Sequence, residues 1–333
     1  MSTSLGLERL LRGPTVDCPE NDPGPVTALA GRSVKRVADL APAEVLALFE
    51  YVHAIETGVV PAAGLLTGRI VCTLFFEPST RTRLSFESAV LRAGGNVLSI
   101  PDGGATGVQK GESLADIRIM MDGYADACVI RHPDPTALAD FDSVEVLSPV
   151  LNAGVGQVEH PTQALIDWYT LWSAGLAAHG KRLCVVGVPA RMRSIRSFLL
   201  LGCRVFPSVL RELTVVSRHD DWCDPELAEA FRSAGVVARH TANVDEAVAS
   251  AELVYLNALT MLDGRFVSLA GDLVLSADSP LSSGCRILHP LARGPELDRS
   301  LDPTPHNLYF RQARVGVPLR QALLSSILGR ADG

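Results

Sequence analysis

The sequence has no surplus of positive charge: 30 lysines and arginines stand against 37 aspartates and glutamates, a formal net charge of -7. That balance argues against a sequence-independent grip on nucleic acid, which needs a basic surface to displace counterions. Any anionic ligand must be caught by local positive charge. No apolar run approaches the ~18 residues of a membrane span, and the segment Met1 to Pro14 lacks the apolar stretch of a secretory signal, so a cytoplasmic protein without a membrane partner is expected. The seven cysteines are an odd number and include no C-x-x-C pair, and no His/Cys cluster has ligand spacing. Neither a disulfide framework nor a metal is expected. Cys72, Cys128 and Cys184 sit in apolar, strand-like runs, where a reduced thiol behaves as a small hydrophobe. Internal repeats and low-complexity segments are also missing.

What is present is apolar material, 47% of the residues against 20% charged, enough to bury sheets and incompatible with disorder. At 333 residues the chain exceeds one ordinary core, since single cores stop growing near ~250–300 residues. Residues 1–30 carry Gly, Pro and acidic residues without periodicity and read as a loosely ordered leader. Beyond them the pattern alternates. Helical spacing runs over Pro42 to Val59, Ser79 to Ala93, His160 to Leu176 and Gln312 to Gly329. Strand-like runs cover Arg69 to Phe76, Ala127 to Arg131, Leu183 to Val188, Leu213 to Ser217, Leu253 to Asn257 and Cys285 to Leu288. Strands alternating with helices predict an α/β protein of two doubly wound parallel-sheet domains joined by helices, with a hinge near His160. Periodicity alone leaves open which half the last helix packs on.

The most informative segment is F-F-E-P-S-T-R-T-R-L-S-F-E, Phe75 to Glu87, where an apolar strand ends and Ser79-Thr80-Arg81-Thr82 opens a helix. Unpaired backbone N–H groups of a first turn, the positive end of the helix dipole, hydroxyls and a guanidinium converge there, an arrangement that suits a phosphate dianion. Downstream come K-G-E-S-L-A-D (Lys110 to Asp116), V-I-R-H-P (Val129 to Pro133), H-P-T-Q-A-L-I-D (His160 to Asp167) and H-P-L (His289 to Leu291). Taken together, in this order, these strings resemble the aspartate/ornithine carbamoyltransferase superfamily over about Ser33 to Leu328, and its aspartate branch most.

The resemblance implies the carbamoyltransferase fold, with residues 31–159 plus about 308–333 binding carbamoyl phosphate and residues 160–307 binding the amine. It implies that Ser79, Thr80, Arg81 and Thr82 hold the phosphate, that Arg131 and His160 bind near the carbonyl oxygen, and that Gln163 meets the carbamoyl NH2, with Leu291 also in contact. Arg81, Thr82, Arg131, His160 and Gln163 are then the expected catalytic set. Donors such as Thr82, Arg131 and His160 would stabilise the charge that grows on the carbonyl oxygen when an amine attacks. Phosphate is a good leaving group whose oxygens can take the amine proton, so neither covalent nucleophile nor cofactor is expected. The glycine-rich loop P-D-G-G-A-T-G-V-Q-K-G-E, Pro101 to Glu112, reads as a mobile lid. In the family such a loop reaches into a neighbouring subunit, which implies a homotrimer, or a multiple of one, with Thr106 and Lys110 contacting phosphate in trans.

The resemblance thins in the acceptor half. Arg193, in A-R-M-R-S-I-R-S, matches the arginine that takes the α-carboxylate of aspartate. The family's Y-x-x-R-x-Q segment, whose arginine grips the β-carboxylate, reads Y-L-N-A-L-T here, placing Ala258 and Thr260 at those positions. The H-P-L-P-R loop reads H-P-L-A-R, so Ala292 follows Leu291 where proline would readily allow a cis bond. A desolvated carboxylate without its charged partner costs ~2–5 kcal/mol, about 30- to 3,000-fold in affinity. Ornithine signatures H-C-L-P and S-M-G are absent too. The sequence therefore predicts a primary amine other than aspartate, such as a diaminopropionate-type or other natural-product amine. Two alternatives stand beside it. One is an aspartate carbamoyltransferase of pyrimidine biosynthesis with a rebuilt pocket, in which Arg191, Arg196 or Arg265 supplies the missing guanidinium. The other is a non-catalytic homologue, against which the intact phosphate set argues.

Overall fold

The computed structural model describes residues 13–14, 24–177, 181–257, 259–262, 265–268 and 274–329. It divides into two compact units, one formed by Thr15–Thr162 with Val315–Gly333 and the other by Met1–Pro14 with Gln163–Arg314.

In the first unit four parallel strands, β1 (Ile70–Phe75), β2 (Asn96–Ile100), β3 (Ala127–His132) and β4 (Val150–Val155), lie in the order β2-β1-β3-β4. The chain leaves β1 toward β2 and returns to β3 on the other side, so the winding reverses between β1 and β3. At their carboxyl ends Phe75 pairs with Arg131. Helix α1 (Pro42–Thr57) starts on Pro42, where the Glu44 carboxylate accepts the Ala41 N–H at 2.8 Å, and stops at Gly58, which takes φ 79. Helix α2 (Thr80–Arg92) ends in the Gly94-Gly95 turn. Helix α3 (Leu114–Tyr124) is capped by Ser113, whose hydroxyl accepts the Asp116 N–H, and α4 (Ala137–Phe141) is a short turn before β4.

Helix α5 (Pro161–Ser173) carries the chain out of this unit. The second unit contains β5 (Arg182–Val186), α6 (Arg193–Val205), β6 (Glu212–Val216), α7 (Pro225–Ala234), β7 (Val237–Thr241), α8 (Val244–Ser250), β8 (Leu253–Leu256), the hairpin β9 (Leu259–Leu262) and β10 (Arg265–Ser268), β11 (Arg286–Leu288) and α9 (Tyr309–Arg314). Its five-stranded parallel sheet has the order β11-β8-β5-β6-β7, with the reversal between β5 and β8. Trp168 of α5 stacks between Phe198 and Phe206 at 4.7 and 4.6 Å and donates its indole N–H to the Phe198 carbonyl at 2.7 Å. Gly187, at φ 141 just after β5, lets two segments meet: a Cβ there would stand 2.4 Å from the Asn257 carbonyl oxygen and 2.5 Å from Ile195.

The last helix, α10 (Gly316–Leu328), returns to the first unit and packs on α1 and α2. Arg320 lies buried over the Phe86 ring at 4.4 Å and donates to the Gly316 carbonyl. This decides the placement that periodicity left open, and α9 and α10 divide at Val315 what reads as one helix from Gln312. Residues 24–30, expected within a loose leader, are instead ordered. Leu29 is fully buried, the Val26 N–H donates to Ser326 Oγ at 2.9 Å, and the Gly31 N–H donates to the Ile327 carbonyl at 2.8 Å. Six cysteines fall among the described residues, all free thiols and five of them buried, with burial pushing Cys72 and Cys184 up to about 12. No helix among the described residues is long and apolar enough to cross a membrane, and no group of three His, Cys, Asp or Glu there could hold a metal ion.

Candidate active site

The carboxyl edge of the first unit's sheet gathers the expected phosphate residues. Ser79 is the N-cap of α2, yet its hydroxyl makes no capping hydrogen bond, and the first helical N–H to be paired is that of Arg83, bonded to the Ser79 carbonyl at 3.1 Å. The first turn has no acidic residue. The N–H groups of Thr80, Arg81 and Thr82 therefore form the positive end of the helix dipole, with no carboxylate in the first turn to neutralise it. Arg81 is exposed, whereas Thr82 is buried. Arg83 turns away, pairing with Glu87 at 3.2 Å.

Arg131 stands at the end of β3, beside Phe75, and its guanidinium is held by Glu77 at 2.6 Å and by the Ala153 carbonyl at 3.3 Å. Glu77, part of the F-E-P-S-T-R string, had no role assigned from sequence. His160 is 5% exposed, with the Thr162 hydroxyl 3.4 Å from Nδ1, and the preceding Glu159 is anchored by Arg36 at 2.9 Å and the Val37 N–H at 2.6 Å. Of the expected lid, Gly103–Ala105 and Gly107–Lys110 form short 3-10 turns. Gly103 packs on Phe76, where a Cβ would come within 3.2 Å of the ring, so the loop lies against the strand-to-helix turn that leads to Ser79. Thr106 bonds back to the Gly103 carbonyl at 2.8 Å, and Lys110 is exposed.

In the second unit, of the residues expected to bind the acceptor, Arg193 follows the carboxyl end of β5 and Leu291 and Ala292 follow that of β11. Arg193 is the first residue of α6 and is half-buried, and its neighbour Ser194 accepts the Asn257 amide at 2.6 Å. Ala258 lies outside the described residues. Thr260 lies within β9, opposite Val267. Past β11, the Leu291–Ala292 peptide bond is cis although the second residue is not proline, and Leu291 takes φ 52. The Leu291 N–H donates to His289 Nδ1 at 2.9 Å, so the imidazole carries its proton on Nε2 and donates it to Glu296 Oε1, also 2.9 Å away. Among the arginines considered as substitutes for the missing one, Arg196 is 5% exposed and tied to Asp224 at 2.8 Å and Glu226 at 2.6 Å. Arg191 pairs with Asp221 at the surface, and Arg265 lies in β10 opposite Leu262.

A further group was not singled out from sequence. Asp167, one turn beyond Gln163 on α5 and fully buried, accepts hydrogen bonds from Gln163 Nε2 at 2.7 Å, Gln312 Nε2 at 2.6 Å and the Tyr255 hydroxyl at 2.8 Å. All three donors are neutral, and burial pushes the Asp167 carboxyl up to about 7.

Residues 32–173 match the profile of the aspartate/ornithine carbamoyltransferase carbamoyl-P binding domain. Over the longer chain, the aspartate carbamoyltransferase catalytic subunit of Pyrobaculum islandicum is 36% identical across 313 residues, 90% of this chain and 98% of that protein. The catalytic subunit from Thermococcus onnurineus is 37% identical across 273 residues, 80% of this chain and 86% of its own. Among solved structures, aspartate transcarbamoylase from Trypanosoma cruzi in complex with N-(phosphonacetyl)-L-aspartic acid superimposes with a TM-score of 0.81 at 32% identity, covering 93% of this chain and 99% of that one. The same enzyme with carbamoyl phosphate and aspartate gives 0.81 at 32% identity over 92% of this chain. With motif order, fold and relatives in agreement, the chain belongs to the aspartate/ornithine carbamoyltransferase family and is a carbamoyltransferase.

Proposed function

We propose that the protein transfers the carbamoyl group of carbamoyl phosphate to the amino group of L-aspartate, releasing phosphate. The observation that carries this reading is the 36% identity to aspartate carbamoyltransferase catalytic subunits along 90% of the chain, with Arg193 retained for an α-carboxylate. The first unit takes carbamoyl phosphate and the second takes the amine. Ser79, Thr80, Arg81 and Thr82 hold the phosphate through side chains and first-turn N–H groups, and Arg131, oriented by Glu77, donates to the carbonyl oxygen together with Thr82 and His160. Gln163 accepts from the carbamoyl NH2. The amine attacks the carbonyl carbon, charge builds on the oxygen, the C–O bond to phosphate breaks, and a phosphate oxygen takes the amine proton. None of these steps draws on a metal or other cofactor. The working form is a cytoplasmic homotrimer, with Thr106 and Lys110 completing a neighbour's phosphate site.

A second reading has its own observation. Ala258 and Thr260 stand where the family's arginine and glutamine meet the β-carboxylate, and Arg196 is committed to Asp224 and Glu226. On this reading the acceptor is an amine without a second carboxylate, for example a diaminopropionate-type amino acid. The deciding measurement ranks L-aspartate against such amines by kcat/KM at saturating carbamoyl phosphate, and measures the affinity of a bisubstrate analogue built on the aspartate skeleton. Aspartate as the best amine, with tight analogue binding, supports the first reading. Turnover of other amines with aspartate at least about 30-fold poorer supports the second. No amine-dependent phosphate release from any of them would leave a binding protein.

A further inference from the structure

Gln163 faces a choice of polarity, since its carboxamide can present either an acceptor or a donor to a ligand, and only the acceptor suits the NH2 of a carbamoyl group. The buried network around it removes that choice. The His289 N–H can only donate, and it does so to Gln312 Oε1 at 2.8 Å. Gln312 is 1% exposed and must therefore turn its Nε2 the other way, toward Asp167 Oδ1 at 2.6 Å. That oxygen accepts a second bond from Gln163 Nε2 at 2.7 Å, which leaves Gln163 Oε1 as the outward atom. The remaining Asp167 oxygen faces the Tyr255 hydroxyl at 2.8 Å, the one partner able to reverse its role. A backbone amide thus sets the direction of every bond from His289 to Gln163.

We propose that Asp167 is a positioning residue for carbamoyl recognition: by accepting the Gln163 NH2 it fixes Gln163 Oε1 as the atom offered to the carbamoyl NH2. The inference rests on the reading of Gln163 above as the carbamoyl contact. Asp167 also ties together the segments that lead to Leu291, through Gln312 and His289, and to the acceptor strand, through Tyr255. Its role is nevertheless to orient, since it is fully buried and acts on a ligand only through Gln163.

Acetyl phosphate isolates this role, because it keeps the phosphate and carbonyl of carbamoyl phosphate and replaces NH2 by CH3. Affinities of the intact oligomer for the two ligands, measured by calorimetry or by competition, give a selectivity ratio that requires no knowledge of the amine. The wild type should prefer carbamoyl phosphate by about tenfold, the effect of one well-made hydrogen bond with a polar group otherwise left unpaired. Asp167→Ala should bring the ratio to within about twofold of unity while acetyl phosphate affinity stays nearly constant. Asp167→Asn should keep the preference, since its Oδ1 can still accept both glutamines while the Tyr255 hydroxyl turns to accept the new NH2. Combining it with Gln312→Met removes the amide that the His289 N–H locks in place, so the asparagine and Gln163 can flip together and the ratio collapses. This pair preserves side-chain volume and keeps the test open should Asp167→Ala fail to fold.

A wild type that binds both ligands equally overturns the inference, as does Asp167→Ala or the double variant weakening both by the same factor, the signature of a merely structural role. If the amine assignment is wrong, turnover changes and these binding ratios do not.

Discussion

Glu77 and Arg131 form a 2.6 Å ion pair, with side chains 11% and 14% exposed, between the turn that enters α2 and the last residues of β3. The pair joins the phosphate motif to the residue expected to polarise the carbonyl. Glu77→Ala leaves a largely buried guanidinium short of its charged partner, a penalty of about 1–3 kcal/mol. Steady-state kinetics should show kcat/KM for carbamoyl phosphate lower by about 10- to 100-fold, with a smaller loss in Glu77→Gln, which keeps an acceptor. Wild-type kinetics in Glu77→Ala would show that Arg131 is positioned by its other contacts alone.

The raised pKa of Asp167 predicts a pH signature. Burial lifts the carboxyl from 3.8 to about 7, so the folded protein holds a proton that the unfolded chain has released across this window. The resulting stability is fully present below about pH 4 and is lost as pH rises through about 7. Asp167→Asn mimics the neutral acid at every pH, so its melting temperature should gain on that of the wild type from pH 4 to pH 7 and level off above. A difference that stays flat with pH refutes the raised value.

A shared site predicts complementation. Neither Arg81→Ala nor Lys110→Ala homo-oligomers should turn over carbamoyl phosphate well, but mixed and reassembled oligomers should recover part of the activity, because some interfaces combine two intact halves. Mixtures as inactive as the parents would assign Lys110 to its own chain's site or to none.

Gly187 makes a prediction about stability. Gly187→Ala would drive a Cβ to 2.4 Å from the Asn257 carbonyl at a φ of 141, so β5 and the segment after β8 must separate. A fall in melting temperature of several degrees is expected, for a cost of about 1–3 kcal/mol. An unchanged melting curve would mean the two segments part freely.

How much of this was legible depended on distance along the chain. Ser79-Thr80-Arg81-Thr82 could be read because the strand end, the cap and the guanidinium are contiguous, and His160 with Gln163 because they open one helix. The strands β2 and β7 could not: they are sheet edges, largely exposed, with too little apolar alternation to register. β4 is fully buried, but Asn152 and Gly154 interrupt its apolar run, and they are there because Asn152 Oδ1 accepts the Gly154 and Val155 N–H groups at 2.7 and 2.9 Å. The importance of Asp167 and Glu77 was hidden for another reason. A carboxylate in sequence does not declare its partners, and these two are defined by Gln312, Tyr255 and Arg131, brought close only by folding. The expectation of an acceptor other than aspartate rested on two positions, Ala258 and Thr260, while the relatives weigh the rest of the chain toward aspartate.

The return of α10 to the first unit has a consequence for synthesis. Tyr51, Arg69 and Val26, all early in the chain, bond to Ser325, the Leu328 carbonyl and Ser326. The half made first is thus finished last. At about 5–20 residues per second, the whole of Gln163–Arg314 leaves the ribosome, on the order of ten seconds, before α10 appears. During that interval the apolar faces of α1 and α2 wait uncovered while the later unit, almost continuous in sequence, is free to close.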